Sequence, residues 1–141
     1  SQTLAHWLLT PTRIYVSSVL NLLDQPESGV KGLAHITGGG FYENIGRILP
    51  PDVAANLDAF RWPLPKVFNW LRQLGNIDPH EMAKTFNCGI GMIAIVSEDE
   101  IERVATILGD AGETVHHIGE IAPRNHEDEI VVVHNIELAW K

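Results

Sequence analysis

Cationic side chains are scarce in this chain. Its 141 residues hold ten Lys and Arg against eighteen Asp and Glu, a net charge of −8 with His neutral. No run of Lys or Arg exists to neutralise a phosphate backbone, which excludes a general nucleic-acid binder. Any anion site must then rest on local placement of Arg13, Lys31, Arg47 and backbone amides rather than on a bulk field. Cysteine is nearly absent too. Cys88 alone cannot form an internal disulfide, which fits a reducing, cytoplasmic setting. Its neighbours, Phe86-Asn-Cys-Gly89, offer no base, so it reads as a packed, inert thiol. No apolar run approaches the roughly 20 residues that cross a bilayer, so no membrane partner is expected. There is no internal repeat and no low-complexity segment.

The remaining composition is that of one globular domain over residues 1–141. Hydrophobic residues make up 45% and charged residues 20%, which excludes disorder and a fibrous class. The length allows a sizeable core.

The most informative stretch is His35-Ile-Thr-Gly-Gly-Gly-Phe-Tyr-Glu-Asn-Ile-Gly-Arg47. Leu33 to Thr37 read as a buried strand. Three glycines follow, and then Phe41, Ile45, Ile48 and Leu49 recur at helical spacing to about Leu49. Glycine permits close backbone approach, successive N–H groups converge, and a helix start favours negative charge. Arg47 and Arg13 could add bidentate phosphate contacts. A tight strand-to-helix turn is the other reading, and the stretch matches neither Gly-x-x-x-x-Gly-Lys-Ser/Thr nor Gly-x-Gly-x-x-Gly.

Further elements follow from punctuation and period. Arg13 to Val16 favour an extended chain, and Ser17 to Asp24 a short helix carrying Val19, Leu20 and Leu23. Pro50-Pro51 stop the helix after the glycines, and Val53 to Ala59 read as a loop or short strand. Trp62-Pro-Leu-Pro65 is a second breaker, with Trp62 expected at the surface and the other tryptophans in packing roles. Pro65–Leu74 places Val67, Phe68, Leu71 and Leu74 on one helix face, ended by Gly75. Asp78-Pro-His-Glu81 gives an N-cap, a first-turn proline and a capping-box glutamate, with Met82 and Phe86 facing the core. Cys88 to Val96 reads as a nearly continuous apolar strand, with Gly89 and Gly91 suited to close approach or packing. Ser97-Glu-Asp-Glu100 looks like another capping box, opening a helix with Ile101, Val104, Ala105 and Leu108 on one face. Thr114–Ala122 and Glu129–His134 complete the strands. The expected fold is a single α+β domain, a mixed β-sheet with helices packed against it.

Among chemical candidates, His35 precedes the glycine turn. It suits proton transfer or phosphate donation near neutral pH, or equally a buried anchor for the loop. His116 and His117 adjoin in an expected strand and leave opposite faces. His6, His80, His126 and His134 lack metal-ligand spacing, so no metal site is expected in this domain. Glu98, Asp99, Glu100 and Glu102 read as a solvated helix start.

Four ordered blocks carry a family resemblance: Pro11-Thr-Arg-Ile-Tyr15, His35-Ile-Thr-Gly-Gly-Gly-Phe41 with Glu43-Asn-Ile45 and Arg47, Pro65-Lys-Val-Phe-Asn-Trp70, and Met82-Ala-Lys-Thr-Phe-Asn-Cys-Gly-Ile-Gly-Met92. Together they resemble the aminoimidazole ribonucleotide synthetase family, also called phosphoribosylformylglycinamidine cyclo-ligase, from about Leu8 to about Gly119. Only the C-terminal half of that family matches. Its N-terminal ATP-binding and dimerisation domain, with an Asp-Gly-Val-Gly-Thr-Lys segment, has no counterpart here. The resemblance thus implies an isolated C-terminal domain, inactive by itself, of a homodimeric parent ligase of de novo purine biosynthesis.

In that family ATP, with Mg²⁺, phosphorylates the formyl amide oxygen of formylglycinamidine ribonucleotide. The substrate's own amine then closes the imidazole, releasing phosphate and ADP. The protein orients the reacting ends and offsets phosphate charge. The resemblance implies that Thr37, Gly38, Gly39, Gly40, Asn44 and Arg47, with Arg13 and His35 nearby, form one wall of an interdomain substrate cleft. ATP and Mg²⁺ belong to the whole enzyme, and neither is expected to be held by this domain alone. Two alternatives stand beside this. One is a non-catalytic phosphate-binding or interaction module whose exposed interface invites self-association. The other is a different ATP-dependent enzyme of the same superfamily, such as selenophosphate synthetase, thiamine-monophosphate kinase or the hydrogenase maturation protein. Pro11-Thr-Arg-Ile-Tyr15 and Thr85-Phe-Asn-Cys-Gly89 favour the cyclo-ligase over these.

Overall fold

Apolar residues around a glycine give the first strand, β1 (Val30–His35), which pairs antiparallel with β3 (Met92–Val96). The structure, a computed structural model, describes residues 3–141. Between those strands in sequence lies β2 (Val53–Asp58), a strand rather than a loop. It is the centre of a second sheet, antiparallel to β4 (Gly119–Pro123) and parallel to β5 (Val131–His134). The architecture is α+β as expected, with the strands divided between a two-stranded sheet and a mixed three-stranded sheet.

The helices are α1 (Leu4–Leu9), α2 (Val16–Leu23), α3 (Gly40–Gly46), α4 (Lys66–Gly75), α5 (Pro79–Thr85), α6 (Ile101–Asp110) and α7 (Ile136–Ala139). None among the described residues is long and apolar enough to cross a membrane. Helix α3 is the central one, contacting β1, β2, β5 and α5. It buries Phe41 and Ile45 among Leu57, Met82, Val131, Val133 and Ile136. Its first residue, Gly40, has φ +57°, and a Cβ there would stand 1.9 Å from the Ala83 carbonyl oxygen of α5. Only a glycine lets these two helices cross so closely. The helix stops at Gly46 rather than near Leu49, in a turn ahead of Pro50.

Several expectations need correction, each for a physical reason. Trp62 is 4% exposed, not a surface residue. Its ring packs against Phe41 and Trp140, with centroids 5.5 and 5.8 Å away, and its Nε1 donates to the Cys88 carbonyl at 3.1 Å. The flanking prolines turn the chain so that this ring points inward. The strand expected from Cys88 begins only at Met92, because Cys88 (φ +47°) and Gly89 (φ +97°) are left-handed. Asn87 Oδ1 accepts from the Gly89 N–H at 3.0 Å, an Asx turn that competes with extended pairing.

The Ser97 capping box does not form. Its backbone N–H already donates to the Gly29 carbonyl at 3.1 Å, and Glu100 turns to Arg103, so a 3₁₀ turn (Glu98–Glu100) precedes α6. Helix α2 buries Ser18 and Leu22 and leaves Leu20 and Leu23 exposed, a face rotated by about one residue from the expected one. Leu74 of α4 is 72% exposed. His116 and His117 lie in the loop before β4 rather than in a strand. By contrast, Asp78 caps α5 as expected, accepting from the His80 N–H at 2.8 Å with Pro79 in the first turn, although Glu81 turns to Lys84 rather than back to Asp78 as a capping box requires.

Gly40→Ala combines left-handed strain with a clash against rigid backbone and should cost on the order of 3 kcal/mol. Urea titration of the purified chain reads this, and a loss below about 1 kcal/mol would show that α3 and α5 can separate freely.

Burial pushes the fully enclosed Cys88 thiol from 9.0 up to about 12. The unfolded chain therefore releases this proton first, so stability is intact below about pH 9 and falls as pH rises toward 12. The loss between pH 8 and pH 10 should be about 1.4 kcal/mol. It should shrink in Cys88→Ala, and an equal alkaline loss in that variant overturns the assignment.

Candidate functional site

The chain leaves β1 at His35, and Ile36 continues the pairing by donating to the Gly91 carbonyl at 2.9 Å. Thr37 then opens a turn closed by the Gly40 N–H on its carbonyl at 3.0 Å, with Gly39 at φ +92°. Asn44, on the second turn of α3 and only 8% exposed, holds this turn from inside. Its Nδ2 donates to the carbonyls of Thr37, Gly38 and Gly40 at 3.3, 3.2 and 2.8 Å. Among the described residues the Gly38 and Gly39 amides have no backbone acceptor. A Cβ on Gly38 would meet nothing within 4 Å.

The sequence-predicted residues separate into groups. Thr37 and His35 are exposed beside the open Gly38, which removes the buried-anchor reading of His35. The His35 ring instead meets Tyr15 edge-on, with centroids 6.0 Å apart. Gly40 is committed to its contact with Ala83, and Asn44 to the turn carbonyls. Arg47 is exposed at the far end of α3. At 1.5 Å per residue it stands about 12 Å along the helix from Gly39. Arg13 is committed elsewhere: Nε donates to Glu113 at 2.7 Å and Nη2 to the Gly112 carbonyl at 2.8 Å. The structure therefore groups His35, Thr37, Gly38 and Gly39, and sets Arg13 and Arg47 apart.

An internal anion also visits the turn. Glu43, in the first turn of α3, brings Oε2 within 2.5 Å of where a Gly39 Cβ would stand. An external anion here would have to displace this flexible carboxylate. Gly91 and Gly89, read as close-approach residues, admit the Tyr15 oxygen and the Pro65 ring respectively. Tyr15 was visible only as part of a motif, and nothing in the sequence marked Glu113. A separate open groove of about 470 Å³, lined by Tyr42, His80, Glu81, Lys84 and the edge of β5, holds none of the predicted site residues.

Comparison with known proteins identifies the family. The family described as AIR synthase related protein, C-terminal domain, matches residues 1–132. A phosphoribosylformylglycinamidine cyclo-ligase from Chromobacterium violaceum is 46% identical over 132 residues, covering 92% of this chain and 38% of that protein. The enzyme of the same name from Bordetella pertussis is 49% identical over 123 residues, covering 87% of this chain and 35% of its own length. The chain thus spans somewhat over a third of these relatives. In fold it is similar to the crystal structure of Escherichia coli HypE, with a TM-score of 0.65 at 19% identity, covering 88% of this chain and 36% of that one. With a match that leaves only its last nine residues outside, the chain belongs to the AIR synthase related protein family, as a C-terminal domain.

Proposed function

We infer that this domain serves as the C-terminal part of an ATP-dependent ligase of purine biosynthesis, a phosphoribosylformylglycinamidine cyclo-ligase. Its relatives carry that name over the whole of its matched length. In this reading the glycine turn forms one wall of a cleft that the rest of a longer, cytoplasmic and homodimeric enzyme completes. The observation that carries it is the pair of Gly38 and Gly39 amides without a backbone acceptor, beside the exposed Thr37 and His35. Amides held in place before the ligand arrives are suited to offset phosphate charge without reorganising.

Arg47 supplies a second anion contact in this proposal. Two contacts about 12 Å apart along α3 suit a reaction between two phosphate-bearing reactants, the ribonucleotide and ATP. Asn44 and Gly40 position the turn and touch no ligand. His35 is placed to donate to, or take a proton from, the reacting end of the ribonucleotide. ATP with Mg²⁺ supplies the phosphoryl group that activates the formyl amide oxygen. No group of three or more His, Cys, Asp or Glu side chains comes together as a metal site among the described residues. In this reading Mg²⁺ and the main ATP contacts belong to the remainder of the enzyme, as the family implies, with Arg47 as an anion contact from this domain.

A second reading, an interaction module, draws on one observation. Leu4, Leu8, Leu9, Ile14, Val16 and Leu20 are all exposed within α1, α2 and the segment joining them. Such a concentration of apolar surface favours self-association.

The isolated chain should show no ATP-dependent cyclisation of formylglycinamidine ribonucleotide, whereas the full-length protein should. Measurable turnover by the pure 141-residue chain removes the need for a second wall. Gly38→Ala in the full-length protein adds one methyl into open space, so the melting temperature should hold. Substrate KM should rise at least tenfold, about 1.4 kcal/mol. Arg47→Ala should likewise lower kcat/KM at least tenfold with little change in stability. Unaltered kinetics in both variants would return the loop to a purely structural turn.

A further inference from the structure

Tyr15 stands at the glycine turn without a role in the reading above. Its ring meets His35 edge-on at 6.0 Å, with the planes at 70°. Its oxygen fits over Gly91, where a Cβ would come within 2.0 Å of it. Gly91 is also the residue whose carbonyl accepts from Ile36 as the chain leaves β1. Tyr15 is therefore fitted to the entrance of the turn. Among the described residues neither its hydroxyl nor the His35 imidazole has a hydrogen-bond partner. Two adjoining rings thus each carry a polar group that no other described residue engages.

What holds Tyr15 there is a largely buried carboxylate from the other end of the chain. The Glu113 side chain is 12% exposed. One of its oxygens accepts from Arg13 Nε at 2.7 Å and the other from Ser18 Oγ. Arg13 also donates to the Gly112 carbonyl at 2.8 Å. Arg13 and Ser18 lie on either side of Tyr15 in sequence, so the backbone carrying the phenol is tied down before and after it. Charge-assisted bonds on a shielded carboxylate constrain far more than an exposed ion pair does. Burial, followed by the Glu113 charge, pushes the phenol above its ordinary value, so it remains a protonated donor at neutral pH.

We propose that Tyr15 is a ligand-contacting residue of the glycine-turn site, donating its phenolic hydrogen to an oxygen of the bound ribonucleotide, and that Glu113 is its positioning residue, acting through Arg13 and Ser18. This rests on the cyclo-ligase reading, since it needs a ligand at that wall. No bond is made or broken by either residue. Tyr15 adds a second fixed donor beside His35, and Glu113 fixes the geometry in which both present themselves.

The test uses the full-length protein for kinetics and the 141-residue chain for NMR. Tyr15→Phe keeps the ring and should raise KM for formylglycinamidine ribonucleotide at least tenfold with an unchanged melting temperature. A change below twofold overturns the contact. Glu113→Gln keeps the shape and removes the charge. It should move the His35 and Tyr15 ring resonances toward unstructured positions and raise KM, and that rise should vanish in a Tyr15→Phe background. Unmoved resonances, or additive effects of the two substitutions, overturn the positioning role. Should Glu113→Gln fail to fold, Ser18→Ala removes one arm of the clamp and gives the same readout. Gly38→Ala distinguishes loss of the Tyr15 contact from loss of the glycine-turn site. If it weakens binding while Tyr15→Phe does not, only the Tyr15 assignment falls. If neither does, the glycine-turn site falls with it.

Discussion

The approach of Gly40 to the Ala83 carbonyl is the contact on which the rest of the structure depends. With α3 and α5 so close that no Cβ fits between them, Phe41 and Ile45 reach the core at full depth. There they meet Trp62, Met82, Val131 and Val133, so both sheets and the C-terminal helix share one apolar centre. Burying a side chain of that size stabilises by roughly 1.5–3 kcal/mol. Several such burials hang on one glycine at one crossing. The same residue ends the turn after β1, so the requirement for tight packing and the shape of the candidate site meet at a single position.

The consecutive glycines do different work. Gly40 serves packing, Gly39 supplies a left-handed angle, and Gly38 leaves space above an open amide. A glycine triplet is therefore a poor guide to function until its members are separated. The charged residues divide in the same way. Arg13 is consumed by Glu113, and Arg47 stands exposed at the far end of α3. Acidic surroundings make this division matter. In a chain of net charge −8, the proposed anion contact would rest on the unpartnered Gly38 and Gly39 amides and a few placed donors, against Glu43 at the turn itself.

Local chemistry was legible in the sequence in several segments that decide their own outcome. The Asp78 cap with its proline, the helix breakers, the strand-to-helix passage through the glycines and the α+β class all read correctly. So did the family, because its ordered motifs are contiguous. What escaped depends on partners remote in sequence. Ser97 could not cap because Gly29 had already taken its N–H. Trp62 turned inward because Phe41, Cys88 and Trp140 surround it. Ser18 is buried because Glu113 faces it. The Cys88–Gly91 segment failed for a nearer reason: an Asx turn at Asn87 outweighed apolar character that suggested a strand.

Asn44 carries a consequence for the entropy of recognition. A glycine-rich turn has more conformational freedom to lose than any other segment, on the order of 1–2 kcal/mol per residue on being fixed. Here one buried amide removes that freedom when the chain folds, by holding three carbonyls at once. A group that settles on the outer face meets a loop already ordered, and its binding free energy is not diminished by ordering it. The flexibility that three glycines would confer is absent from the very place where they stand together.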